Sequence, residues 1–120
     1  MEDQEFEKLV GEAMDSLPPE FAEKLENVAV TIEDAPTMEI MREMRLPPWG
    51  LLFGLYRGVP KTKRGIYYSA PPDKITIYKN SILYVSHTPE DIKAQVRATV
   101  IHEIGHHFGL SDLELKKSGK

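Results

Sequence analysis

The longest stretch that nothing interrupts runs from Thr88 to Gly109, and it limits what the rest of the chain can build. Thr88 is a good N-cap, Pro89 suits the first helical position, and Glu90 and Asp91 face the positive end of the helix dipole. Thr88 with Asp91 three residues later approximates a capping box. Gly109 suits the left-handed residue just past a helix end. The helix so bounded holds about twenty residues and spans about 30 Å. On a wheel of about 100° per residue, Val100, Ile101, Ile104 and Phe108 form one apolar stripe, while Gln95 and Thr99 lie on a polar edge roughly opposite. The helix therefore has a core face and a cleft face.

The preceding segments supply partners for that core face. Phe6, Leu9, Val10, Ala13, Met14 and Leu17 recur at three- and four-residue intervals and predict an amphipathic helix that Pro18-Pro19 stops. Pro19 opens a short second helix to about Leu25. Val28 to Ile32 is rich in β-branched residues and reads as a strand. Thr37 to Pro48 suits a turn of helix or a loop. Gly50 to Tyr56 reads as a buried strand, with Gly54 allowing close backbone approach. Arg57 to Ala70 reads as a hairpin connection, with Ile66 to Tyr68 as a short strand inside it. Lys74 to Tyr78 alternates strictly, as a half-buried strand does. Ser81 to Val85 fits either a further strand or a connector.

Length and composition narrow the class. A chain of 120 residues suits one domain, here residues 1–120. With 15 Lys+Arg against 19 Asp+Glu the formal net charge is -4, so the basic footprint that displaces phosphate counterions is missing and no nucleic-acid partner is expected. Cysteine is absent, which removes disulfides, thiolate metal sites and thiol nucleophiles together. Met1-Glu2-Asp3-Gln4-Glu5 is acidic with no apolar run behind it, unlike a signal peptide. No apolar stretch approaches the ~20 residues of a membrane span. A cytoplasmic protein without membrane partners is the expectation.

The chemistry lies in the long helix, where His102-Glu103-Ile104-Gly105-His106 forms an HExxH. Positions i and i+4 are about 40° apart, so both imidazoles leave one face, one turn apart, and can share one tetrahedral zinc. Glu103 lies about 100° round from His102, beside the metal, where it can act as general base toward water. Two ligands hold a metal weakly, and the third must come from downstream. His107 is about 140° from His102 and reads as a packed or backbone-bonded imidazole. Glu114 follows His106 too closely for a second helix to return it. Asp112 follows Gly109, whose freedom lets the chain turn back toward the metal. Ser111 with Glu114 also forms a capping box for a short terminal helix, a reading compatible with ligation by Asp112.

Read whole, His102 to Asp112 is HEIGHHFGLSD, which is similar to the HExxHxxGxxH/D signature of metzincin-like proteases. The doubled histidine and final Asp resemble the small bacterial family of minimal zincin-like metallopeptidases. Leu51 to Pro60 and Pro72 to Tyr78 resemble that family's strand segments, so the likeness covers most of the chain from about Val28. The resemblance implies an α+β fold of zincin type: a small mixed sheet with amino-terminal helices packed on it and the active-site helix beneath the sheet's edge. It implies zinc held by His102, His106 and Asp112, with Glu103 catalytic, and a peptide or unstructured protein as substrate. The chain departs from larger metzincins in having no methionine after the motif; all five precede it.

Two alternatives stand beside peptide hydrolysis. One is a non-catalytic metal-binding or adaptor module. The other is a metal-dependent endoribonuclease, since a bacterial family of ribosomal-RNA maturation enzymes resembles the chain in its helical His-x3-His-x5-His spacing. That family lacks a glutamate at the place of Glu103, and Asp112 replaces its last histidine.

Overall fold

Spacing by three and four turns Phe6, Val10 and Ala13 to one buried face of α1, Asp3–Asp15. The computed structural model describes residues 1–26, 28–58 and 73–108. After α1 come α2 (Pro19–Lys24), β1 (Val28–Glu33), α3 (Met38–Glu43), β2 (Gly54–Arg57), β3 (Asp73–Tyr78), α4 (Lys79–Val85) and α5 (Pro89–Phe108). Pro18 and Pro19 separate the first two helices as expected, Pro19 sitting in the opening turn of α2.

The three strands form a mixed sheet in the order β1-β3-β2. β1 runs parallel to β3, from Val28 opposite Asp73 to Glu33 opposite Tyr78. β2 runs antiparallel to β3, with Gly54 opposite Ile77 and Arg57 opposite Lys74. The alternation at Lys74 to Tyr78 predicted a half-buried strand, but β3 is buried on both faces. Its central position explains the difference. Ile75 and Ile77 enter the main core, and Thr76 and Tyr78 on the other face are also covered. There the Thr76 hydroxyl pairs with that of Thr31 across the strands at 3.2 Å.

Two further expectations are corrected. Ser81 to Val85, read as strand or connector, belongs to the helix α4. A short apolar run carries no period of its own, and Ile82 enters the core as readily from a helix as from a strand. The strand expected over Gly50 to Tyr56 runs only from Gly54, preceded by a single bond from the Tyr78 N–H to the Phe53 carbonyl at 2.9 Å. Leu51, Leu52 and Phe53 instead form a wall beside α5. Ile66 to Tyr68 lies outside the described residues.

α5 is the hub. Its buried Ile92, Val96, Val100, Ile101 and Ile104 join Phe6, Val10, Ala13, Leu17 and Phe21 from the amino-terminal helices and Ile75 and Ile77 from β3 in one cluster. α1 and α2 pack against α5, and α5 lies against β2 and β3. Burial of each large apolar side chain contributes about 1.5–3 kcal/mol. At the start of α5 the Thr88 hydroxyl accepts from the Asp91 N–H at 3.1 Å, and the Asp91 carboxylate accepts from the Thr88 N–H at 3.2 Å and the His87 N–H at 3.0 Å. The capping box is thus formed, with Asp in the place of the usual Glu. No helix among the described residues is long and apolar enough to cross a membrane.

Candidate metal centre and catalytic cleft

Two rows of side chains divide the exposed side of α5. His102 and His106 are both exposed, with ring centroids 5.0 Å apart and planes tilted by 53°. The next row is Thr99, Glu103 and His107, four residues apart, and it faces β2. Four helical residues rise about 6 Å, and two strand residues advance about 6.6 Å. The helical row therefore nearly matches Gly54, Tyr56 and Gly58 along β2 and the residue after it.

Each step of that match has a contact. A Cβ on Gly54 would stand 2.7 Å from the Thr99 Cγ2 and 3.0 Å from the Thr76 carbonyl oxygen, so the missing side chain lets helix and strand meet. The Thr99 hydroxyl is held by donating to the Gln95 carbonyl at 2.7 Å, which fixes where the methyl points. The Tyr56 N–H donates to Glu103 Oε1 at 2.9 Å. The Tyr56 ring stacks on His107 with centroids 4.0 Å apart. A Cβ on Gly58 would come within 3.0 Å of the His107 Cε1. Asp73 closes the group from β3, accepting from the Tyr56 hydroxyl at 2.9 Å and facing the His107 Nε2 at 3.9 Å.

Beside His102 and Glu103 opens a pocket of about 240 Å³. Leu51, Leu52, Phe53 and Gly54 form one wall, and Gln95, Ala98 and Thr99 of α5 the other. The polar edge predicted from the wheel, Gln95 and Thr99, does face this cleft. Thr99 is nevertheless buried, because β2 sits directly on it. Val100, Ile101 and Ile104 occupy the core as predicted; the Phe108 side chain lies outside the described residues.

The donor set suits zinc, since two imidazoles lie one turn apart on a solvent-facing row. Glu103 is kept to one side of them by the Tyr56 N–H. Among the described residues no group of three or more metal-binding side chains forms. Asp112, expected as third ligand, lies outside the described residues, as do Gly109, Ser111 and Glu114. Of the five tyrosines, Tyr56 adjoins the site, Tyr78 is in the core, Tyr84 is exposed, and Tyr67 and Tyr68 are not described. The sequence predicts a packed imidazole at His107, and the stack on Tyr56 is such a contact. The sequence offers all five tyrosines alike as donors to an oxyanion and does not choose Tyr56 among them, and it gives Asp73 no role beyond a turn.

Helices, a mixed sheet and an HExxH row beside an edge strand define the zincin class. The family described as zincin-like metallopeptidase matches residues 25–120, and the chain belongs to that family. Among solved structures it is similar to a conserved hypothetical protein from T. thermophilus, with 27% identity and a TM-score of 0.54, over 87% of this chain and 91% of that one. No curated protein matches the sequence.

Proposed function

We propose that the protein is a zinc-dependent metallopeptidase that hydrolyses short or unstructured peptides. The observation that supports this most is the paired row on α5: two exposed imidazoles one turn apart, the first of them at the cleft, and, one position round, a carboxylate tethered by one oxygen to an edge strand. His102 and His106 would hold the metal, with Asp112 as third ligand on the strength of the HExxHxxGxxD likeness. Zinc, when bound there, would supply Lewis acidity toward a peptide carbonyl and toward water. Because Glu103 Oε1 is engaged by the Tyr56 N–H, Oε2 is the atom that takes the proton from the attacking water. The same oxygen then delivers that proton to the departing amine nitrogen. The mostly apolar pocket beside His102 receives a substrate side chain, and the acidic overall charge weighs against RNA.

The test uses one zinc-loaded preparation assayed on a quenched peptide library and on labelled RNA. Glu103→Gln keeps shape but cannot take a proton, so peptide hydrolysis should fall at least ~100-fold while zinc content holds. Asp112→Ala should weaken zinc affinity by more than about tenfold with little change in helix content. Retained hydrolysis in Glu103→Gln would refute the mechanism. Zinc binding without cleavage of any peptide would favour the adaptor reading, and cleavage of RNA alone the nuclease reading.

A further inference from the structure

The sequence holds a doubled histidine, and only His106 of the pair shares the helix row of His102. His107 points to β2 instead, and its row-mate Glu103 lies one helical turn before it. Both side chains meet the same residue. Tyr56 holds Glu103 through its backbone N–H and His107 through its ring.

Five buried side chains hold α5 in the core, but hydrophobic attraction has no direction and sets the roll of the helix's far face less sharply than a hydrogen bond or a ring stack does. Roll matters here, since about 100° separates the row with Glu103 from the row with His102. Two directional contacts to one strand residue, one turn apart along the helix, remove that freedom. Gly54 and Gly58 fix the sliding position as well, since only at this register do Thr99 and His107 meet residues without side chains.

The place of this lock is significant. His106 and His107 belong to the last described turn of α5, and the ends of helices fray more readily than their middles. A metal ligand there needs tertiary support. The neighbouring residue provides it, gripped between the Tyr56 ring and Gly58 with Asp73 alongside.

We propose that Tyr56 and His107 are positioning residues, which key the roll of α5 against β2 so that His102 and His106 are pre-set for metal while Glu103 is held beside them. The proposal rests on the metal-binding reading above. It gives Asp73 a supporting part, since its bond to the Tyr56 hydroxyl ties the keyed strand residue to β3.

The decisive variant is Tyr56→Leu, which removes the ring but keeps the backbone N–H and apolar bulk. His107→Leu removes the same contact from the helix side and serves if the first does not fold. Two quantities are read in full-length protein: zinc affinity by chelator competition, and amide exchange of residues 106 and 107 in zinc-free protein. Zinc affinity should weaken about 10–100-fold, the range for loss of groups that orient metal ligands. Exchange should quicken at least about tenfold, by local opening of the last turn. Tyr56→Phe keeps the ring and should restore both to within about fivefold. Val10→Ala, in the α1 core, should lower the melting temperature without changing zinc affinity, which separates keying from general destabilisation. Zinc affinity within about threefold of wild type in Tyr56→Leu, or unaltered exchange, overturns the proposal. If wild type itself binds no zinc, the metal reading fails, and the exchange comparison alone then decides for or against the lock.

Discussion

Gly54 has no side chain where β2 meets Thr99 of α5, and the consequence of adding one can be worked out from its neighbours. The methyl of Gly54→Ala would meet Thr99 Cγ2 at 2.7 Å, and that side chain cannot swing away without losing its bond to the Gln95 carbonyl. The Thr76 carbonyl at 3.0 Å is backbone and yields less still. Overpacking of this kind costs about 1–3 kcal/mol. Gly54→Ala should therefore lower stability by that amount in denaturant unfolding and weaken zinc affinity with it, whereas Gly11→Ala, with nothing within 4 Å, should not destabilise. The sequence made Gly54 legible as a close-approach position because a glycine between apolar residues is costly unless something needs the room. It could not make the Tyr56–Asp73–His107 group legible in the same way. Those three residues come from three separate elements, and only the pairing of β2 with β3 and the roll of α5 bring them together.

Among the elements, α5 is readable from its start and α4 is not, for one physical reason. α5 begins with a reciprocal cap that local sequence encodes in full, Thr88 and Asp91 serving each other's backbone N–H. α4 begins at Lys79 after Tyr78, which makes no side-chain cap, and its start is held from afar, the Lys79 Nζ donating to the Met1 carbonyl at 2.9 Å and to Asp3 at 2.6 Å. A helix defined by distant partners leaves little trace in its own residues. The cap of α5 also yields a pH dependence. The Asp91 carboxylate is held below its ordinary value of 3.8, foremost by the His87 N–H and then by that of Thr88. The unfolded chain, lacking those bonds, takes up a proton more readily, so this contribution is present above the ordinary value and is lost as pH falls through the lowered one. Asp3, lowered by Lys79, behaves alike. Asp91→Asn should therefore flatten the fall in unfolding free energy on acidification below the ordinary carboxylate value, and leave its shape near neutrality unchanged.

At the scale of the whole molecule, the amino-terminal helices and the cleft lie on different sides of one helix, and they are coupled through it. α1 contributes Phe6, Val10 and Ala13 to the core that α5 organises, so metal bound on the other side of α5 should stabilise contacts it never touches. At free zinc about 100-fold above the dissociation constant the gain is about 2.7 kcal/mol, provided the unfolded chain does not bind. The melting temperature should rise with zinc concentration in wild type and stay flat in the His102→Ala, His106→Ala double variant. A flat response in wild type would remove the metal from the folding equilibrium. One further consequence follows from β2 being an edge of the described sheet. An edge strand with an open amide invites another chain to pair with it, a known route to self-association. Here the outward N–H of Tyr56 is capped by Glu103, so the residue proposed for catalysis also guards the edge. Glutamine at position 103 keeps an acceptor oxygen and the guard; alanine would remove both at once. A loss of activity in Glu103→Ala would then mix two causes, and light scattering would show oligomers that the glutamine variant does not form.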